Sequence, residues 1–535
     1  MRGLTPCGNV DHLQTRTRTE VQKFVMKTII RLLEIKMMLS LGQDSPCVLM
    51  SWVSGLRGTL ARACRRRATV WLCVTLGCAA TSHAAERKPN FLFIYTDDQR
   101  WDAMGVVQRE QAGHARFPWF KSPNMDRLAG SGVRFRNAFA TCSLCAPSRA
   151  AFLTGCYNHL NGITNNHTEF PVDTVTHASL LRAAGYTTAY IGKWHMGEQR
   201  GQRPGFDYSA SFIGHGRYND CPVEVNGVST PTKGWIDDVS TDFAIGWMKQ
   251  NRERPFSLVV GFKSPHSPRG GKNLPERLRN LYAGETSRPA PNFGVSAIFH
   301  PPDPATGKQP QGLSDNAIHL DYLRHVTGAD ENLGRLLDSL DELGLAEDTV
   351  VVYTSDNGYY LGEHCLGDKR SIYEESLRIP MLVRYPRLFG KGQVIDEMVL
   401  NIDLAPTLLD LAGVAVPEAM QGVSWKALAT GQKLANWRQS FLAEYFYENG
   451  GGDTPTLIGV RSANAKLVTY PGHPEWTEVF DLAVDPYELK NLAADPAVTA
   501  KLSAELDTQM KAVNYAVPPN VDKPPLPKPA ARTPK

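Results

Sequence analysis

Four short apolar runs mark the chain, and each ends abruptly in polar residues. Phe91–Thr96 leads into Asp97-Asp98-Gln99, and Thr187–Gly192 into Lys193-Trp194-His195. Phe256–Phe262 leads into Lys263-Ser264-Pro265-His266, and Thr349–Thr354 into Ser355-Asp356-Asn357-Gly358. Runs of this length without polar alternation suit strands buried on both faces, and the expected fold is α/β, a large mixed, mostly parallel sheet sandwiched by helices. Helical segments separate them. The clearest is predicted between Asn316 and Leu345, where Leu333, Leu336, Leu337 and Leu340 recur at helical spacing. In open α/β sheets ligands bind beyond the carboxyl ends of the strands. Any one polar ending reads equally well as a turn; four of them place Asp, Lys, His and Asn at one edge.

After Leu411-Ala412-Gly413 the pattern changes. Phe441–Tyr445, Leu457–Arg461, Lys466–Tyr470 and Glu478–Leu482 predict closely spaced strands of a smaller antiparallel sheet. A helix from about Asp495 to Val513 follows by periodicity. The Pro/Lys-rich end is expected to be disordered. The expected organisation is a non-native or disordered extension over 1–49, a signal peptide over 50–85, a catalytic α/β domain over 88–430, an α+β subdomain over 436–515, and a disordered tail over 516–535.

The leader reading rests on charge and a short apolar stretch. Arg62, Arg65, Arg66 and Arg67 precede Val70–Ala80, and Ser82-His83-Ala84 offers a small-residue cleavage site. The stretch is short for a membrane span, so an exported protein, periplasmic or secreted, without a stable span is expected. Residues 1–85 hold 12 of the 58 Lys/Arg and 4 of the 54 Asp/Glu, so the net charge of +4 conceals a mildly acidic body of 46 basic and 50 acidic residues. That body argues against nucleic-acid binding, which favours a basic face. Five cysteines fall outside the leader: Cys142, Cys145, Cys156, Cys221 and Cys365. With Cys145 set aside, up to two disulfides are possible after export.

Asp97, Asp98, Asp356 and Asn357 are oxygen donors of the kind that Ca²⁺ or Mg²⁺ takes, where zinc would draw histidine or thiolate. Cys145 opens Cys145-Ala146-Pro147-Ser148-Arg149, followed by Leu153-Thr154-Gly155. Pro147 suits a first helical turn and Gly155 a helix stop, so Cys145 is expected at a helix N-terminus, a place that favours a thiolate or a sulfate. Arg149, Lys193, His195, His266 and Lys369 are candidate anion binders.

These segments occur together with Asp368-Lys369-Arg370 and Tyr373–Pro380, in an order that resembles the formylglycine-dependent type I sulfatases of the alkaline-phosphatase superfamily over about 88–495. The resemblance implies that Cys145 is oxidised to Cα-formylglycine by a formylglycine-generating enzyme. It implies one calcium ion on Asp97, Asp98, modified Cys145, Asp356 and Asn357. Arg149 would support the aldehyde hydrate, Lys193, His266 and Lys369 would contact sulfate, and His195 would lie beside the hydrate. One hydrate hydroxyl would attack sulfur, His266 or Lys369 would protonate the leaving alcohol, and His195 would help the second hydroxyl expel sulfate. Ala146 departs from the commoner serine, a small-for-small change.

The segments Tyr157–His159, Asn165–His167 and Asp356–Tyr359 look most like glycan sulfatases of the N-acetylglucosamine-6-sulfatase kind, so a sulfated carbohydrate is the expected substrate. His159, His167, His215, Arg217, Glu444 and Arg461 are candidate sugar contacts, and each is as readily an ordinary surface residue. Trp476 suits either sugar stacking or packing under the second sheet. The alternatives are an arylsulfatase, a phosphate or phosphonate ester hydrolase of the same superfamily, or an inactive glycan-binding relative.

Overall fold

The computed structural model describes residues 88–310 and 312–523 of the 535-residue chain. The expected extension and signal peptide lie outside the described residues, as does the end of the expected tail. Among the described residues no helix is long and apolar enough to cross a membrane.

Ten strands form one sheet among the described residues. Its centre comprises β1 (Asn90–Thr96), β2 (Thr187–Lys193), β3 (Tyr208–Phe212), β4 (Phe256–Gly261), β5 (Thr349–Ser355) and β6 (Met381–Arg384). Their order is β6-β5-β1-β4-β2-β3. β5, β1, β4, β2 and β3 are parallel, and β6 runs antiparallel to β5. The predicted runs became strands because both faces of the sheet are dry. Phe91, Phe93 and Tyr95 enter one core with Val350 and Val352, whereas Leu92 and Ile94 enter the opposite core with Val351 and Tyr353. Helix α1 (Cys145–Thr154) packs Ala146, Ala150, Phe152 and Leu153 into the first core. Helix α3 (Asn316–Glu342) places Leu333, Leu336, Leu337 and Leu340 in the second, with helix α2 (Ile236–Asn251) beside it.

β1 lies between β5 and β4, so the chain crosses to both sides of it. A topological switch of this kind opens a crevice at the carboxyl ends of the strands. Close approach holds two of those ends together. Gly192 faces Gly261 across β2 and β4, and a Cβ on Gly192 would lie 2.0 Å from the Gly261 carbonyl oxygen.

The second sheet is an antiparallel meander of β7 (Ser440–Tyr445), β8 (Leu457–Ser462), β9 (Ala465–Thr469) and β10 (Glu478–Asp481). Helix α4 (Pro496–Ala512) packs on it, and the Asp495 side chain accepts from Ala497 N and Val498 N to cap its start. The meander belongs to the same compact unit as the large sheet. The last described residues run back over the body: Asn520 Nδ2 donates to Gly162 O, and Asp522 accepts from Asn449 N. The two disulfides that composition permits do not form, since all five described cysteines are free.

His177 opens a helix over His177–Ala183 and is fully buried. Burial outweighs the carbonyls of Leu153 and Phe152 and pushes its pKa down to about 4. An unfolded histidine titrates near 6.5, so between these values the unfolded chain binds more protons. Stability is therefore lost as pH falls from about 6.5 to 4, by about 3 kcal/mol from this side chain. Melting curves across that range should show a shallower acid limb for His177→Gln than for the parent. Parallel limbs would remove this group from the acid response.

Candidate active site

The four strand ends deliver their polar residues to one place. Asp97 and Asp98 follow β1, Lys193 ends β2, His266 follows β4, and Asp356 and Asn357 follow β5. Carboxylate oxygens of Asp97, Asp98 and Asp356 lie within 4.8 Å of one another, and Asp97, Cys145 and His266 form an overlapping group. Asp98 (φ 73°) and His195 (φ 50°) hold left-handed backbone conformations. These cost roughly 1–3 kcal/mol each and cluster at functional sites.

Cys145 is the first residue of α1, after an extended Leu144. Gly155 closes the helix in a left-handed conformation, its N–H bonded to Ala151 O, as the sequence predicts. The Cys145 Sγ donates to Asp97 Oδ1 at 3.3 Å. The expectation of a thiolate does not survive. Burial first, then Asp97, drives the thiol pKa up against Lys369 and Lys193. An unmodified Cys145 is therefore a neutral thiol, a weak nucleophile.

Cations surround the carboxylates. Arg149 donates from Nε (3.1 Å) and Nη2 (2.6 Å) to Asp356 Oδ2, with Asp97 Oδ1 at 3.4 Å from Nη2. Lys193 pairs with Asp97, and Lys369 Nζ lies 2.7 and 3.0 Å from the two oxygens of Asp98. Burial raises the Asp97 pKa, but Lys193, Arg149 and Lys369 together hold it well below the usual carboxylate range. Asp356 goes the other way: burial and the Asp97 charge outweigh Arg149 and push it to about 7. Burial alone would lower the Lys369 pKa, yet the Asp98 charge holds it well above the ordinary value.

The histidines are neutral. Burial, Lys193 and His215 depress His195, whose Nδ1 is buried without a partner. Burial and Lys193 depress His266, whose Nδ1 lies 2.6 Å from Ser267 O, leaving Nε2 3.9 Å from Asp98 Oδ2. The His215 ring stands 3.8 Å from His195 and 4.6 Å from His266, and its Nδ1 is 3.2 Å from Lys193 Nζ.

The donor set fits a hard cation. Asn357 donates through Nδ2 to Asp98 Oδ1 at 2.8 Å, while its Oδ1 is buried with no hydrogen-bond partner. An orphaned amide oxygen beside the carboxylates of Asp97, Asp98 and Asp356 is the chemistry of a calcium or magnesium site.

Other predicted sugar contacts lie elsewhere. His159 is buried and its Nδ1 lies 2.7 Å from Glu444 Oε2; Glu444 also accepts from Asn158 N, so the pair fastens β7 to the short helix Asn158–Asn161 that follows α1. Arg461 is buried against Glu374 at 3.1 Å, lining a different cavity with Arg100 and Arg378. Arg217 binds the carbonyls of Asn219 and Asp220 in its own loop. His167 pairs with Asp522 at 3.0 Å on the rim. Trp476 stacks on His473, with centroids 3.8 Å apart.

The sequence reading passed over several residues. Lys263 is buried after β4 and donates from Nζ to His215 O at 2.8 Å. Asp237 of α2 accepts from Lys263 N and Ser264 N and fixes that turn. Asn166 accepts from Ala146 N; Glu448 accepts from Asn166 N and from Arg370, tying the meander to the start of α1. The polar ending of β4 was a signal for Lys263. The Glu448 contact spans 282 residues and left no local signature.

The chain is similar to known sulfatases over most of its length. The family model described as Sulfatase matches residues 89–414, and the one described as N-sulphoglucosamine sulphohydrolase, C-terminal, matches 362–516. An N-acetylglucosamine-6-O-sulfatase of Bacteroides thetaiotaomicron is 31% identical, covering 78% of this chain and 84% of that protein. An ulvan-active sulfatase of Formosa agariphila is 31% identical over 79% and 80%. A solved structure in complex with its substrate D-glucosamine-2-N,6-O-disulfate superposes with TM-score 0.71 at 29% identity, over 81% of this chain and 99% of that one. The fold also matches a phosphonate monoester hydrolase of Agrobacterium radiobacter, with TM-score 0.63 at 22% identity over 79% and 95%. With its catalytic fold and more than half its length matched by the family model, the chain belongs to the sulfatase family, within the alkaline-phosphatase-like superfamily.

Proposed function

We propose that the protein hydrolyses a sulfate ester on a sulfated carbohydrate of the glucosamine-6-sulfate class, after export and after conversion of Cys145 to formylglycine by a maturation enzyme. The single observation that carries the reading is the convergence on Cys145 of an all-oxygen donor group and five buried Lys, Arg and His side chains. Relatives that act on glucosamine sulfates support the sugar class.

Hydrated formylglycine at 145 supplies a nucleophilic oxygen with a second hydroxyl in reserve. Calcium would be held by Asp97, Asp98, Asp356, Asn357 and modified Cys145, and would supply fixed positive charge there. Arg149 locks Asp356 and braces Asp97, so the carboxylates keep their places. Lys193 and Lys369 carry ammonium donors in a buried site, where charge developing on sulfate oxygens is stabilised far more than in water. Lys369, held charged by Asp98, is the proton source for the leaving alcohol. His266, with Nδ1 committed to Ser267 O, presents Nε2 as a hydrogen-bond partner for the substrate. His195 is neutral with a free Nδ1, so it takes the proton of the second hydroxyl. His215 is the sugar-facing candidate, because it touches both histidines.

The test is a screen of defined sulfated saccharides with enzyme co-expressed with a formylglycine-generating system, with phosphate and phosphonate esters in parallel. Release of 6-O-sulfate from glucosamine is expected, with the peptide mass showing the aldehyde at 145. Preference for a phosphorus ester would overturn the reaction class, and turnover by unmodified thiol would overturn the nucleophile.

A further inference from the structure

A second cluster of metal-ligating side chains lies apart from the Asp97 group. His364, Glu375 and Glu488 each offer a ligand atom within 4.8 Å of the others. They are 1%, 7% and 2% exposed, so the cluster is dry. They come from three places in the chain: the loop between β5 and Lys369, the Tyr373–Leu377 turn, and the loop after β10.

The hydrogen bonding around the cluster is incomplete. Glu375 Oε2 is buried with no partner. Asn292, fully buried, places Nδ2 3.1 Å from His364 Nε2 and 2.9 Å from Glu375 Oε1, while its Oδ1 has no partner. A half-turn of that amide would present Oδ1 to the imidazole and the carboxylate. That exchange is unfavourable among acceptors alone and favourable if a cation lies among them, because a cation needs lone pairs.

The electrostatics agree. Burial first, then Glu363, pushes Glu375 up to about 7; burial outweighs Lys466 and pushes Glu488 to about 8. Lys466 Nζ donates to Glu488 Oε1 at 2.6 Å and Glu374 N donates to its Oε2 at 2.8 Å, so Glu375 Oε2 is the carboxylate oxygen left without a partner. Burial lowers His364 to about 3, so its imidazole is neutral, and the half-turn of Asn292 would free its Nε2 from the amide donor. Two cavities border the cluster. A cavity of about 190 Å³ is lined by His364 and Glu488, and one of about 310 Å³ by Glu375.

We propose that His364, Glu375, Glu488 and Asn292 bind a divalent transition cation of the zinc class. An imidazole nitrogen among carboxylates suits zinc-type ions better than calcium. The ion would be structural, clamping the segment that carries Lys369 to the loop after β10.

The experiment uses the full chain with Cys145→Ala, so that the thiol cannot compete for metal. Protein stripped with chelator is returned to excess Ca²⁺, loaded with Zn²⁺ and desalted. The parent should retain about one zinc per chain, and His364→Gln and Glu375→Gln should each lower zinc affinity by 10-fold or more while keeping the calcium-induced rise in melting temperature. Replacement by Co²⁺ should give a visible absorption band in the parent alone. Absence of retained zinc in the parent, or equal retention in the variants, would overturn the site. Should neither variant fold, the parent's zinc content and cobalt band decide.

Discussion

Replacing Cys145 by serine is expected to lower steady-state desulfation by at least ~10³-fold, the scale seen when a catalytic nucleophile is removed. On the proposed mechanism the loss follows from the conversion of Cys145 to formylglycine, since the thiol itself is a poor candidate. Cys145 is fully buried against Asp97, and its pKa is driven up, so almost no thiolate exists at neutral pH. A serine in the same place could accept sulfate but has no second hydroxyl to expel it. The expected result is loss of kcat with the fold intact, read as an unchanged melting temperature and an unchanged calcium response. Serine is close to cysteine in size, so packing in the dry pocket gives no competing explanation. Sustained turnover by Cys145→Ser would sink the formylglycine reading. So would full activity in parent protein whose Cys145 peptide carries the mass of a thiol.

The sequence exposed the centre of the fold and hid its edges, for one reason. β1, β2, β4 and β5 are buried on both faces, so selection against polar residues writes each as an unbroken apolar run. β6 has the same burial but only four residues and follows Pro380 directly, so its antiparallel insertion beside β5 was not legible. The site was legible wherever a strand end carried it, as with Asp97, Lys193, His266 and Asp356. It was misread where a charged residue near a motif turned inward to a distant partner. Arg461 serves Glu374 and His159 serves Glu444, each across more than eighty residues of chain. Local spacing reports neither pairing. His215, by contrast, was named without a motif and stands in the site, because the loop after β3 lays it over His195 and His266.

Asp356→Asn is expected to lower activity by about 10²-fold or more at fixed calcium, and to remove most of the stabilisation that calcium gives. In the metal-free protein burial and the neighbouring Asp97 outweigh Arg149 and raise the Asp356 pKa to about 7. The sign then follows. A carboxyl whose folded pKa lies above its unfolded value loses stabilising power as pH rises from about 4 through 7, because the folded state holds the extra proton. With chelator present the parent should therefore weaken toward pH 8, and Asp356→Asn should weaken less, since an amide cannot lose that proton. Calcium reverses the order. A bound divalent ion favours the carboxylate, so the parent gains RT ln(1 + [Ca²⁺]/Kd), about 4 kcal/mol at a thousandfold excess over Kd. The variant, with one charge fewer and Arg149 still aimed at the position, gains much less. Melting curves of both proteins in chelator and in calcium, from pH 6 to 8, separate the two effects. An equal calcium-induced shift in parent and variant would remove Asp356 from the ligand set and leave Asn357 Oδ1 orphaned for some other reason.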